Sequence, residues 1–575
     1  MMTETLRLQT QAPTLQALHA LWQAGRPAGL PAAPPYPLGQ VPLVEHLDHW
    51  ARLQPDATAI EFYGCSISWA RLRDTSLRLA AFLVRQGIAP GERVAVFLPN
   101  CPQFAIAFFA ILRAGAVHVP VSPMFKAAEL AHQLADSGAR AVVVHDELFP
   151  LLQQVLPQTR VKTLIATGFQ DFAPTQEFPR APTGQFGSRR ACPGAIELLQ
   201  VLDSPAEDAA LPRVSVDNIA AINYTGGTTG MPKGCVHTHR HMLYTAATTC
   251  CYSLDLRPGD AVLNFFPLYW IAGEDFGLIF PVFAGATCVL LSRWDAHAAA
   301  SAIERHRIRI VNGLVETALD ILALPDADRF DLRCLEMTLV SSFVRRIDRP
   351  TRQRWRALTG GGALREASWG MTETHTWDAY TRGLDVDDRD LDANPGWVGL
   401  PVPGTEFKIT DFQTGEVKGL NDTGQLCVRS PSLFKGYWGN PEESAQVLVD
   451  GWLHTGDIGL IDEAGHIHYL GRQRDMLKVK GVSVFPAELE AIIGRHPAVA
   501  AIGVVAQPDA ERGEVPVAMV ELRAGLQDAP DSAALEAWCR DHMAVYKLPR
   551  IRLLASLPRT STGKIDKLAL RAMAA

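Results

Sequence analysis

Residues 224–234, YTGGTTGMPKG, put hydroxyls, open backbone amides and one positive charge into a single short stretch. Gly226, Gly227 and Gly230 carry no Cβ, so the backbone there can come close to a phosphate. Thr225, Thr228 and Thr229 add hydroxyl donors, and Lys233 adds charge. The stretch follows an apolar run at 219–222 that reads as a buried strand. It is not the Walker arrangement G-x-x-x-x-G-K-[ST], because Lys233 follows a proline and precedes a glycine. A lone glycine-rich turn carries little information. This longer string, with its donors and its lysine, reads as a phosphate loop.

The string resembles the phosphate loop of the adenylate-forming superfamily, which contains acyl-CoA synthetases, non-ribosomal peptide adenylation domains and beetle luciferases. Four more strings resemble that superfamily's motifs in their usual order. WGMTE at 369–373 resembles its aromatic-Gly-x-Thr-Glu motif. The resemblance implies that Trp369 stacks near adenine, Thr372 contacts the α-phosphate and Glu373 holds Mg²⁺, a hard cation suited to carboxylate oxygen. GWLHTGD at 451–457 implies that Asp457 grips the ribose, since a carboxylate can accept from two vicinal hydroxyls. GRQRDMLKVKG at 471–481 resembles the hinge between a large and a small domain. It implies Arg472 at the ribose, Arg474 as the hinge, and Lys478, Lys480 and Gly481 on the CoA side. PRTSTGK at 558–564 implies that Lys564 is the catalytic lysine, an ammonium able to bridge carboxylate and phosphate oxygens in the transition state. Thr228 and Glu373 complete the implied catalytic set. The five motifs run from Tyr224 to Lys564, with weaker similarity from Leu43 onward.

Three places depart from the pattern. PLYWIAG at 267–273 puts Trp270 where relatives often carry histidine beside the acyl group, so Trp270 reads as a pocket wall or gate, or as a core tryptophan. LVSSFV at 339–344 puts Phe343 and Val344 where smaller residues are usual, which implies a rearranged pocket. Glu316 stands near a common proline position, facing either the acyl tunnel or solvent. Amino-acid-activating relatives carry an aspartate near the Trp270 position; Glu274 and Asp275 sit too far along to serve. No carrier domain follows Lys564 in this sequence.

The resemblance therefore implies an AMP-forming acyl-CoA ligase using ATP, Mg²⁺ and coenzyme A. Carboxylate attack on the α-phosphate releases pyrophosphate, the small domain rotates about Arg474, and the thiol displaces AMP. A medium- or long-chain fatty acid is the expected substrate, with an aryl or alicyclic acid as the alternative. Two other readings stay open: a stand-alone adenylase that loads a carrier protein, and a protein that binds ATP or acyl-adenylate without turnover.

The elements that must hold these residues alternate in kind. Strands are expected at 93–98, 139–146, 161–166, 218–224, 286–291 and 309–315, and a helix at 103–113. This alternation predicts α/β architecture, with doubly wound βαβ subdomains and mainly parallel sheets. Short alternating strands at 406–410, 424–428 and 465–470 predict a small antiparallel β unit. The last hundred or so residues, with helices at 486–495 and 533–543 and strands at 500–505 and 515–522, predict a small α+β lid. The division expected is an extended arm at 1–42, a large adenylating domain at 43–473 and a small domain at 474–575. Residues 171–204 read as a long surface excursion, being rich in Pro, Gly and Gln.

Composition narrows the classes. With 575 residues the chain is too long for one ordinary core. A net charge of −7 gives no reason to expect nucleic acid or an anionic membrane surface as partner. The ten cysteines include no C-x-x-C pair, and the N-terminus lacks a secretory pattern, so a reducing cytoplasm is expected. No apolar stretch is long enough for a transmembrane helix, which leaves peripheral membrane contact and self-association open.

Overall fold

A computed structural model describes residues 13–204, 210–225, 231–342, 346–385, 388–392, 396–479, 482–509, 512–560 and 563–574. Two seven-stranded sheets form its bulk. One runs, in spatial order, Ala363–Glu366, Met337–Ser341, Ile310–Leu314, Ala261–Asn264, Thr287–Leu290, Thr58–Phe62 and Cys65–Ser68. The other runs Ile196–Glu197, Thr163–Thr167, Ala141–His145, Arg93–Phe97, Val117–Pro120, Ile219–Tyr224 and Gly234–Thr238. Within each, neighbours are parallel except for one terminal hairpin. Ala141–His145 is buried at every position and Arg93–Phe97 at all but its first. That is why these strands read as continuous apolar runs rather than alternating ones.

The helix Pro102–Arg113 explains how the sheets meet. It is apolar on all sides, and every residue is buried. Phe104, Phe108 and Phe109 belong to one hydrophobic cluster that also takes in Val94 and Val96 of one sheet and Val262 and Leu263 of the other. Asn100, at the end of the Arg93–Phe97 strand, laces the sheets with polar contacts. Its Nδ2 donates to the carbonyls of Phe266 and Leu291, both at 3.0 Å, and its Oδ1 accepts from the Leu268 amide at 2.7 Å. Asn100 thus fixes the segment that leads into Trp270.

A third, antiparallel sheet contains Trp397–Pro401, Glu406–Thr410, Gly424–Arg429, Trp452–Ile461 and Ile467–Arg472. A fourth, mostly antiparallel, contains Leu477–Val479, Val482–Val484, Val499–Asp509, Gly513–Leu522 and Arg550–Leu554, with helices Pro486–Ile493, Ser532–His542 and Lys567–Ala574.

Two sequence expectations need correction. The N-terminal arm is not extended throughout: Leu15–Gly25 is a helix capped by Thr14, and its Leu18 and Trp22 are buried against the third sheet's core. Trp22 Nε1 also donates to the Gly465 carbonyl at 3.0 Å. The excursion at 171–204 is not wholly surface, because Ile196–Glu197 joins the second sheet and the helix Leu198–Asp203 buries Leu198, Val201 and Leu202.

Asn100→Ala is expected to destabilise the large domain by about 2–3 kcal/mol, since buried carbonyls and an amide lose their partner. Asn100→Asp is expected to be worse, because it sets a carboxylate against those carbonyls. Urea unfolding monitored by tryptophan fluorescence checks both; an unchanged midpoint in Asn100→Ala contradicts the lacing role.

Candidate active site

The phosphate-loop string sits on a hairpin. Strands Ile219–Tyr224 and Gly234–Thr238 pair antiparallel with Tyr224 opposite Gly234, and the Thr225 amide donates to the Lys233 carbonyl at 2.9 Å. A Cβ at Gly234 would lie 2.4 Å from Ile222 Cγ2, so this crossing needs glycine. Gly226, Gly227, Thr228, Thr229 and Gly230 lie outside the described residues, as do Phe343, Val344, Lys480 and Gly481. The hairpin's outer strand bonds to residues 435–438 through Trp438 N to Gly234 O at 2.7 Å and Lys435 N to Val236 O at 2.9 Å. Lys233 Nζ lies 2.6 Å from Glu443 and 5.2 Å from the Tyr437 ring centroid. Both members of that ion pair are about 40% exposed, at 43% and 37%. Such a pair contributes only about 0–1 kcal/mol, so a phosphate can draw Lys233 away at little cost.

The WGMTE segment lies beside the hairpin. Glu373 is buried in the short 3-10 turn Thr372–Thr374, and its Oε1 accepts from the Tyr437 hydroxyl at 2.8 Å. His237, on the hairpin strand, donates from Nε2 to the Thr372 carbonyl at 2.7 Å. Burial first, and then neighbouring histidines, hold His237 well below the ordinary histidine range, so it stays neutral. The next three residues, His375, Thr376 and Trp377, all have left-handed backbone, at φ 59°, 60° and 58°. Each costs about 1–2 kcal/mol unless its surroundings compensate.

The third group forms where two strands adjoin. Asp457 and Arg472 are direct cross-strand partners, with Arg472 Nε 2.9 Å from Asp457 Oδ1. Asp457 Oδ2 accepts from Trp369 Nε1 at 3.0 Å, so the indole N–H is committed to this carboxylate. Oδ1 is buried and has no aligned hydrogen-bond donor, which leaves an acceptor site for a ligand hydroxyl. Burial pushes the Asp457 carboxyl up to about 6, against the pull of Arg472 and the Trp369 bond; Glu373 adds to the rise and Lys564 opposes it. One carboxylate therefore feels Arg472, Glu373 and Lys564 together. The Lys564 residue is exposed, yet its surroundings still shift its ammonium. There desolvation, then Arg472, lower its pKa, with Asp457 pulling the other way. Arg474 is exposed and, with Thr455, Gly456, Arg472, Gln473 and Met476, lines an adjoining cleft of about 500 Å³.

Of the residues assigned to the acyl side, Trp270 and Glu316 are described, and with Ser342, the residue before the assigned Phe343, they follow neighbouring parallel strands. Trp270 comes after Ala261–Asn264, Glu316 after Ile310–Leu314, and Ser342 after Met337–Ser341. All lie beyond the carboxyl ends of one sheet, the usual place for a ligand in open α/β folds. Trp270 is half-buried with its ring centroid 6.0 Å from that of Tyr269, and Glu316 is half-buried in the first turn of Val315–Leu322. Ser342 donates its amide, at 3.0 Å, and its hydroxyl, at 2.6 Å, to Glu366. Lys478 is exposed on the first strand of the small sheet, with its amide bonded to Glu514.

Sequence reading missed several residues here. Glu274 and Asp275, set aside as misplaced acids, are both fully buried. Glu274 lies 3.4 Å from His118 Nε2 and accepts from Asn223 Nδ2 at 3.2 Å; Asp275 contacts His375 and Thr376. The signal was available, since adjacent acids in an apolar stretch must be paired if they are buried. Tyr437 carried no such signal.

Among the motif residues, Glu373 is the one whose chemistry suits a cation. Glu373 offers hard oxygen, is buried, and has no ion pair among the described residues. Groups of three or more candidate metal ligands are absent among the described residues. That donor set fits Mg²⁺, which commonly takes one or two carboxylates and completes its shell with phosphate oxygens and water.

The chain is similar to known proteins along most of its length. A family model described as AMP-binding enzyme matches residues 47–438, and one described as AMP-binding enzyme C-terminal domain matches residues 488–564. A long-chain-fatty-acid–CoA ligase of Bacillus subtilis is 30% identical over 95% of this chain and 96% of its own length. A 4-coumarate–CoA ligase of Oryza sativa subsp. japonica is 30% identical over 92% of each chain. The crystal structure of an anthranilate CoA ligase in complex with anthranoyl-AMP superposes with a TM-score of 0.79 at 27% identity, covering 93% of this chain and 97% of that one.

The Asp457 environment predicts a direct observation. Carboxyl ¹³C NMR of aspartate-labelled protein is expected to show a titration midpoint near 6 that is lost in Asp457→Asn. Arg472→Gln should move it higher, because the positive charge that favours ionisation is gone. A midpoint that falls, or does not move, contradicts the pairing.

Proposed function

The chain belongs to the AMP-binding enzyme family, and on that premise we propose that it is an AMP-forming acid–CoA ligase. The observation that carries this reading is the buried Asp457–Arg472 pair, whose carboxylate also feels the charges of Glu373 and Lys564. In the proposed first step, a carboxylate oxygen attacks the α-phosphate of ATP, the bond to the β-phosphate breaks, and pyrophosphate leaves. Asp457 Oδ1 accepts from a ribose hydroxyl, and Arg472 helps keep that carboxylate ionised. Lys564 lies between the attacking carboxylate and the phosphate, offsetting charge that builds up as they meet. The hairpin loop, including Thr228, and Thr372 hold phosphate oxygens. Glu373 is the residue that would hold Mg²⁺, which when bound neutralises phosphate charge.

In the second step the CoA thiol attacks the acyl carbon and AMP leaves with the former carboxylate oxygen. The proposed hinge is Arg474, which is exposed in the linking turn, and rotation there withdraws Lys564 and brings Lys478, Lys480 and Gly481 toward the thiol's path. Medium- or long-chain fatty acid is the proposed substrate class, supported by the relative named for long-chain fatty acids. The second reading, an aryl acid, is supported by the Tyr269 and Trp270 rings at the acyl side and by the anthranilate and 4-coumarate ligases.

A pyrophosphate-release screen over fatty and aryl acids, with and without CoA, tests the reading. Acid-dependent release, with thioester formed only when CoA is present, is expected; no acid-dependent release overturns it. Lys564→Ala should reduce adenylate formation at least about a hundredfold while ATP binding is retained. Wild-type pyrophosphate release in that variant excludes the assigned role.

A further inference from the structure

The nucleotide motif at 369–373 runs directly into the left-handed turn at residues 375–377, in which no residue is glycine. Backbone of this kind persists only where side chains hold it from several sides. Here the His237 ring packs on His375 at 4.8 Å between centroids, and much of the remaining hold comes from the π-helix Asp275–Ile279 and the Phe280 that follows it, an irregularity of the sort found at functional sites. The Thr376 hydroxyl donates to Asp275 Oδ2 at 2.6 Å, and His375 Nδ1 lies 3.3 Å from Asp275 Oδ1. The Trp377 ring centroid lies 5.9 Å from that of Phe276 and 6.2 Å from that of Phe280. The turn is closed in from behind as well, since a Cβ at Gly370 would sit 2.4 Å from the Trp377 nitrogen.

The other side of the turn faces the nucleotide motif. The His375 amide donates to the Thr372 carbonyl at 3.2 Å, and the Thr376 amide donates to the Met371 carbonyl at 3.0 Å. The turn therefore caps the 3-10 helix Thr372–Thr374, and any shift in it carries Thr372 and Glu373 along.

We propose that Asp275 is a positioning residue for adenylation: its carboxylate holds the turn at 375–377 and so fixes where Thr372 and Glu373 point. The proposal rests on the nucleotide-site reading above. Asp275 touches neither substrate nor metal; it acts through the backbone. A core ion pair with no such role would affect stability without changing how the enzyme responds to Mg²⁺.

The test compares wild type, Asp275→Asn, Asp275→Ala and the double variant Asp275→Ala/Thr376→Gly. Two readouts are needed: acid-dependent ATP–pyrophosphate exchange per folded enzyme, and the Mg²⁺ dependence of ATP binding by calorimetry. Displacement of reacting groups by about 1 Å can cost on the order of a hundredfold in rate. Asp275→Asn is expected to lose about tenfold in exchange and to need several-fold more Mg²⁺ for ATP binding. Asp275→Ala should lose about a hundredfold. Glycine at 376 accepts left-handed backbone freely, so the double variant should regain part of that loss. Normal exchange in wild type with unchanged Mg²⁺ dependence in Asp275→Asn overturns the role of Asp275 alone. Absent exchange in wild type, with Mg²⁺-dependent ATP binding still shifted in Asp275→Asn, overturns the adenylation reading and leaves the positioning role standing.

Discussion

A carboxylate and a phosphate are both anions, and adenylation must press one against the other. At about 4 Å, two unit charges in a partly buried setting repel by roughly 4 kcal/mol. The site's arrangement follows from that constraint. Arg472 is locked beside Asp457 as a cross-strand partner, and Lys564 reaches the same region from the small domain. The burial that pushes the Asp457 carboxyl up to about 6 also strengthens each charge placed there. The lowered pKa of Lys564 has the same origin, desolvation first and Arg472 second.

Such charges are useful only if they are held in place, and the scaffold supplies several restraints. Asn100 ties the strand ends of the two large sheets. The phosphate hairpin is bonded along its outer strand to residues 435–438, the stretch that supplies Tyr437 to Glu373. His237 on that hairpin reaches the Thr372 carbonyl, and Glu274 reaches back to Asn223 on its other strand. The residues proposed for phosphate and metal are thereby set against one another through buried polar contacts. Such contacts are effective only when fully satisfied.

Much of this was legible in the sequence, for identifiable reasons. Buried parallel strands announce themselves as unbroken apolar runs, so 93–98 and 139–146 were placed to within two residues at each end. The motifs proposed to hold the nucleotide stand out in the sequence because phosphate, metal and sugar each demand particular side chains at short spacing. The helix Leu15–Gly25 was missed although Leu15, Leu18 and Trp22 follow helical spacing, because the proline-rich stretch after it dominated the reading. The strand at Ile196–Glu197 is too short to show any period. Asp275 was set aside as lying too far along to anchor a substrate ammonium; that it must be paired if buried was legible, but which residues pair it was not, since His375 and Thr376 lie about a hundred residues away. Pairings at that range are fixed by the tertiary fold and leave no local pattern.

The central claim is that the acid is activated by forming a bond from its own oxygen to the α-phosphate. A substrate acid carrying ¹⁸O in its carboxylate tests this most directly, with mass spectrometry of the nucleotide after complete conversion in the presence of CoA. The account predicts that each AMP carries one heavy oxygen from the acid. AMP without the label, or label in inorganic phosphate with ADP as the nucleotide product, would contradict it.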